Sequence, residues 1–286
     1  MSLLNVTLEA VPSVDCRELE VRTARGTSTA DLWLPPDAGS RVPVLLLGHG
    51  GGFPHPGRQM PRLRKLAQRL AHQAGAAVLV IDGPAHGARS PELGDPLASS
   101  RRARQVLLDP ELPVWFTEEW KAALQAARGV SGVDASNAGY IGFSMGTLLG
   151  VSVVAAIPEI RAAVFGLGGV PRLGGVGELA RSMGAPDEVV QMVNEEDDAE
   201  IRGRVLLEDA ARISGREVLL VNTTEDEVFP VPGILQFYEA LASPARIALF
   251  RGGHLALPDE AIDLAVWFLR RCLAGESPDR TPSGAW

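Results

Sequence analysis

Two apolar runs limit what this chain can fold into more than any other feature. Val42–Gly48 reads VPVLLLG and Ala76–Ile81 reads AAVLVI, neither with a charged side chain. A strand with one wet face alternates apolar and polar residues. A strand apolar throughout is covered on both faces, as in parallel sheets packed between helices. The sequence between the runs supplies such a helix. Met60, Leu63, Leu66, Ala67, Leu70, Ala71 and Ala74 recur at helical spacing and stop at Gly75.

The alternation continues along the chain. An opening strand pair is expected at Arg17–Thr23 and Thr29–Leu34, and a helix at Thr117–Val130 after a long irregular stretch over 84–113. Strand Ala138–Phe143, helix Met145–Ile157 and strand Ala162–Leu167 follow. Strand Glu217–Val221, helix Gly233–Leu241, strand Arg246–Phe250 and a last helix through Ile262, Val266 and Leu269 complete the pattern. Strands alternating with helices predict an α/β fold, a doubly wound, mostly parallel sheet flanked by helices. Residues 170–212 break the rhythm: they hold no good strand and an acidic helix-like stretch at Pro186–Asp209. They are read as a small inserted cap segment within a single domain spanning 1–286, with 275–286 as a flexible tail.

Composition removes several functional classes. The net charge of −8 is the reverse of what a nucleic-acid binder carries. The longest apolar segment, Leu148–Ile157, is broken by Gly150 and Ser152 and stopped by Pro158, too short for a membrane span. The N-terminus has no basic start and does not read as a signal peptide. Only two cysteines occur, Cys16 and Cys272, too few for a disulfide scaffold or a zinc site and in keeping with a reducing, cytoplasmic location. The sequence leaves the oligomeric state open.

The chemistry concentrates at strand ends. Tyr140-Ile141-Gly142-Phe143-Ser144-Met145-Gly146 places Gly-x-Ser-x-Gly between an expected strand and an expected helix. Such a turn strains the serine backbone and lifts its hydroxyl out of the sheet, and the flanking positions must be small to pack closely. A serine hydroxyl needs a base to become a nucleophile, and the base needs an orienting acid. Of the histidines His49, His55, His72, His86 and His254, only His254 lies downstream of Ser144, in the turn after strand Arg246–Phe250. The strand Glu217–Val221 runs into Asn222-Thr223-Thr224-Glu225-Asp226-Glu227-Val228-Phe229-Pro230, where three carboxylates compete. Asp226 is the expected acid, because its short side chain precedes a Val-Phe-Pro brake. Glu225 and Glu227 read as solvated flanks.

With those residues the chain resembles the α/β-hydrolase superfamily, over about residues 40–273. The matching elements are Gly48-His49-Gly50-Gly51-Gly52 after the first buried strand, the Ser144 turn, Asp226 in an Asp-x-x-x-Pro loop, and His254. The segment Asp82–Ser90 (DGPAHGARS) is similar to a turn of the branch containing dienelactone hydrolases and prolyl-oligopeptidase-like esterases. Dienelactone hydrolases carry a cysteine nucleophile where this chain has Ser144, which favours ordinary ester chemistry over their lactone. The resemblance implies an oxyanion hole formed by the backbone N–H groups of Met145 and Gly51, with Gly52 helping or replacing the latter. It also implies that His49 is structural.

The expected activity is hydrolysis of a small-molecule ester, thioester or lactone through an acyl-enzyme on Ser144. No cofactor or metal is expected: His49, His55 and His86 have no carboxylate or cysteine at ligand spacing. Amide cleavage, acyl transfer or cofactor-free perhydrolysis could use the same triad, and a non-catalytic small-molecule receptor is the alternative outside enzymes. Around the site, Arg101, Arg102 and Arg104 read as a solvated helix face, Trp115, Phe116 and Trp120 as core, and Glu195–Asp198 as exposed charge. Leu173, Met183, Val189, Met192 and Val193 would give a cap its apolar surface.

Overall fold

A computed structural model describes residues 14–36, 41–51, 56–90, 96–193 and 196–278. Eight strands form one sheet: β1 (Asp15–Thr23), β2 (Gly26–Leu34), β3 (Val42–Gly48), β4 (Ala77–Ile81), β5 (Val133–Phe143), β6 (Ile160–Gly166), β7 (Glu217–Thr223) and β8 (Ala245–Phe250). Their spatial order is β1-β2-β4-β3-β5-β6-β7-β8. β1, β2 and β4 pair antiparallel, and every pair from β4 to β8 is parallel.

Helices α1 (Pro61–Ala74) and α9 (Asp259–Leu273) cover one face; α3 (Leu112–Arg128), α4 (Met145–Ala156) and α8 (Val231–Ala240) cover the other. Successive strand residues serve opposite cores. Tyr140, Phe165 and Leu220 pack toward α3 and α4, whereas Ile141, Val164 and Val221 pack toward α1 and α9. That division is why the middle of each of these strands is apolar on both faces, with the polar residues kept toward the ends.

Beyond shifts of two or three residues at element ends, the structure differs from the sequence reading along 84–113 and at the starts of α3 and β5. The 84–113 stretch is not irregular throughout, since α2 spans Pro96–Leu107. α3 starts at Leu112 rather than Thr117, because Pro113 lies in its first turn, where the missing N–H has no helical partner to lose. β5 starts at Val133 rather than Ala138. Its pairing with β3 jumps from Pro43↔Asp134 to Val44↔Ala138, so Ala135–Asn137 form a bulge in a continuous strand, with Ala135 buried and Ser136 exposed.

Between β6 and β7 lie α5 (Gly175–Ser182), α6 (Asp187–Val193) and α7 (Glu196–Ala210). α7 packs on α4 and α8, with Leu206 and Ala210 in the core. α5 sets Val176 and Leu179 on Val228, Phe229 and Ile234, and α6 meets α2. No helix among the described residues is long and apolar enough to cross a membrane.

Candidate active site

Ser144 sits between β5 and α4 with φ 54° and ψ −116°, a backbone conformation side chains rarely adopt. Its surroundings hold it there. The Ser144 N–H donates to the Gly166 carbonyl at the end of β6 (3.0 Å), and the Ser144 carbonyl accepts from the N–H groups of Thr147 (2.8 Å) and Leu148 (3.0 Å). The flanking glycines are sterically required. A Cβ on Gly146 would lie 2.4 Å from the Gly48 carbonyl oxygen, and one on Gly142 would lie 2.5 Å from that of Gly146. Below them the fully buried Tyr140 donates its hydroxyl to the Gly146 carbonyl at 2.6 Å, and burial pushes its pKa up.

Ser144, Asp226 and His254 come together although 110 residues separate the serine from the histidine. His254 Nε2 lies 2.9 Å from Ser144 Oγ and His254 Nδ1 lies 2.8 Å from Asp226 Oδ2. A carboxylate only accepts, so Nδ1 carries the proton and Nε2 is left as the acceptor facing the serine hydroxyl. The other oxygen of Asp226 accepts the N–H groups of Val228 and Phe229, each at 2.8 Å. The Phe229 ring stacks at a tilt 5.6 Å from the His254 ring. The flanking carboxylates separate in role. Glu225 is exposed and pairs with exposed Arg251. Glu227 is half-buried, and its Oε2 accepts the backbone N–H of His254 at 2.9 Å, so it is no solvated flank.

Gly51 abuts the start of α4: a Cβ on it would touch the Met145 Cβ and Sδ at 3.4 Å. Met145 opens α4, so no earlier turn of the helix offers its N–H a carbonyl. Gly52 and His55 lie outside the described residues. The buried His49 stitches this wall together. Its Nε2 accepts the Gly83 N–H at 2.7 Å, and its Nδ1 donates to the Gly50 carbonyl at 2.8 Å. Burial lowers its pKa, which keeps that neutral tautomer. The Gly50 carbonyl and the Gly51 N–H belong to one planar trans peptide and point in opposite directions. Holding the carbonyl therefore aims the N–H.

His86 is fully buried beside His49, with ring centroids 5.4 Å apart. Burial, then the neighbouring His49, push its pKa from 6.5 down to about 3. Between those values the unfolded chain binds a proton that the folded chain refuses. The stability from this residue is whole above the unfolded value and drains as pH falls toward the folded one. Urea titrations are expected to show about 2 kcal/mol less stability at pH 5 than at pH 7.5 from this side chain. His86→Asn should remove that share of the pH dependence; an unchanged dependence would refute the assignment.

Among the described residues no three His, Cys, Asp or Glu side chains gather as a metal site. Burial pushes the thiol pKa values up, Cys16 to about 11 and Cys272 to about 12, so neither is a thiolate at neutral pH. Phe116 and Trp120 are core and Trp115 packs against it, while Arg101 and Arg102 are exposed and Arg104 is half-buried on α2. Val189 is buried, Met192 and Val193 are half-buried, and Leu173 and Met183 are exposed. Glu195 lies outside the described residues, as do residues 279–286 of the expected tail. A groove of about 610 Å³, lined in part by Arg22, Lys121 and Arg128, has no serine or histidine in its lining.

No protein-family model matches the sequence, and no curated protein does. Solved structures do match. A cold-adapted esterase from an Arctic intertidal metagenomic library superposes with a TM-score of 0.67 at 24% identity, over 93% of this chain and 97% of that one. A Pyrococcus furiosus esterase gives 0.63 at 19% identity, over 90% and 93%. An acylaminoacyl peptidase of Pyrococcus horikoshii gives 0.68 at 16% identity, over 95% of this chain but 44% of that one. With the sheet order above, this likeness makes the architecture an α/β-hydrolase fold.

Proposed function

We propose that this α/β-hydrolase-fold chain is a serine hydrolase that cleaves a carboxylic ester, thioester or lactone. The observation that carries the reading is the unbroken chain from Asp226 through His254 to Ser144, at 2.8 and 2.9 Å. His254 Nε2 takes the proton of Ser144 Oγ as the oxygen attacks the carbonyl carbon. Asp226 keeps the proton on Nδ1 and stabilises the imidazolium that forms. The tetrahedral oxyanion is received by the N–H groups of Met145 and Gly51, each contributing about 3 kcal/mol to the barrier reduction. Collapse expels the alcohol or thiol, protonated by His254. Water, activated by the same imidazole, then releases the acid from Ser144.

The esterases among the structural neighbours support ester chemistry, and the serine at the nucleophile position favours it over the cysteine-dependent lactone reaction. In this reading the 170–212 segment is a cap, and its exposed Leu173 and Met183 supply apolar surface for the acyl or alcohol group. The test is reaction with a fluorophosphonate probe, followed by a panel of p-nitrophenyl esters and acyl thioesters of graded length. Labelling confined to Ser144, with turnover on part of the panel, is the expected result. An unlabelled protein inert across the panel would instead indicate a receptor built on the same fold.

A further inference from the structure

We infer that Glu227 is a positioning residue for the base. Its carboxylate fixes the backbone of His254 at the height where Nε2 meets Ser144. The inference rests on the triad reading above and extends it to a residue that touches no reacting atom.

β7 and β8 pair in register as far as Thr223↔Phe250. Beyond that point the two loops stay bonded. The Thr224 N–H donates to the Phe250 carbonyl and the Glu225 N–H to that of Gly252, each at 2.8 Å, and the Thr223 hydroxyl donates to that of Gly253 at 3.1 Å. All three contacts use carbonyls of the base loop. The N–H of His254, a residue with no exposed surface, donates to Glu227 Oε2 at 2.9 Å. A buried N–H left unmet is costly, so this contact adds to the hold on the loop in that position. A Cβ on Gly253 would lie 3.1 Å from the same oxygen, so the glycine leaves room for the carboxylate.

Glu227 is itself held from the opposite side. Its carbonyl accepts Arg172 Nε at 3.1 Å, and the Arg172 N–H donates to the Val228 carbonyl at 2.8 Å. A Cβ on Gly175 would lie 2.5 Å from the Glu227 carbonyl oxygen. The start of the β6–β7 connection is thus pressed against the acid loop, and Glu227 stands between that segment and the base. One loop grips His254 twice: Asp226 sets the ring and Glu227 sets the main chain. A hydrogen bond to Asp226 alone leaves the ring free to pivot about Nδ1, which swings Nε2 away from Ser144.

Two substitutions separate reach from charge. Glu227→Gln keeps an acceptor oxygen at the same reach and loses the charge. Glu227→Asp keeps the charge and withdraws the oxygen by one methylene. Because a 1 Å misplacement of a reacting group costs about 100-fold, Glu227→Asp is expected to lower kcat about 10- to 100-fold on the best ester of the panel. KM should stay within about twofold and Glu227→Gln within about threefold of the parent kcat. The downfield proton NMR signal of His254 Nδ1–H should broaden in the Asp variant and persist in the Gln variant. Urea midpoints would identify any variant that loses its fold, and either member of the pair then remains informative against the parent. Equal kcat in both variants, or a deeper loss in Gln than in Asp, overturns the inference. Ser144→Ala run alongside separates the two failures. If it retains activity, the nucleophile reading has failed; if it is dead while Glu227→Asp is unimpaired, only the role of Glu227 has.

Discussion

Ser144→Ala is expected to lower kcat on p-nitrophenyl esters by about 10⁶-fold, the scale measured when a serine hydrolase loses its nucleophile. The residual rate above water would come from the Met145 and Gly51 N–H groups and from substrate binding, which the substitution leaves in place. The fold should survive. Ser144 is held by its backbone bonds to Gly166, Thr147 and Leu148, and its hydroxyl contacts His254. Alanine accepts the same strained φ at similar cost, so the urea midpoint should move little. Substantial turnover in a folded Ser144→Ala protein would mean that the acyl group is carried elsewhere or that no acyl-enzyme forms.

Asp226→Asn should cost about 10⁴ in kcat, and the geometry says why no rotation of the new side chain can rescue it. The N–H groups of Val228 and Phe229 both point at Oδ1 from 2.8 Å, so an oxygen must stay there. The amide nitrogen is then forced into the Oδ2 position, 2.8 Å from His254 Nδ1. Two donors cannot face one another, so the imidazole gives up its Nδ1 proton and carries one on Nε2 instead. That nitrogen can no longer accept from Ser144. Glu225→Gln, at the exposed pair with Arg251, should stay within about twofold of the parent. The reverse order of effects, read as kcat for the two variants, would move the acid to Glu225.

How much of the fold and site is legible in the sequence depends on the range over which each signal acts. β3 is legible to the residue because both of its faces are buried and nothing polar interrupts it. The Ser144 turn is legible because its steric demands fall within five consecutive residues. Asp226 and His254 can be assigned because each follows its own strand, in an order set by topology. α2 escapes such reading because its strongest local feature is the Arg101–Arg104 cluster, without an apolar stripe, between segments rich in Gly, Pro and Asp. The true start of β5 is hidden by a bulge whose polar residues look like a turn. Glu227 looks solvated in the sequence because its partner is the N–H of a residue 27 positions away, brought near only by the β7–β8 pairing. No pattern of side chains announces a backbone donor.

The positive φ of Ser144 bears on how this protein can change. Glycine would relax there without penalty, whereas any side chain bears about 1–3 kcal/mol of backbone strain. Selection for heat resistance alone would therefore drift toward glycine at the one position where the proposed chemistry needs a hydroxyl. Engineering for durability has to find its gains elsewhere, and Ser144→Gly, more robust than Ser144→Ala and equally inert, would show how much thermal tolerance the chain forgoes to keep that oxygen.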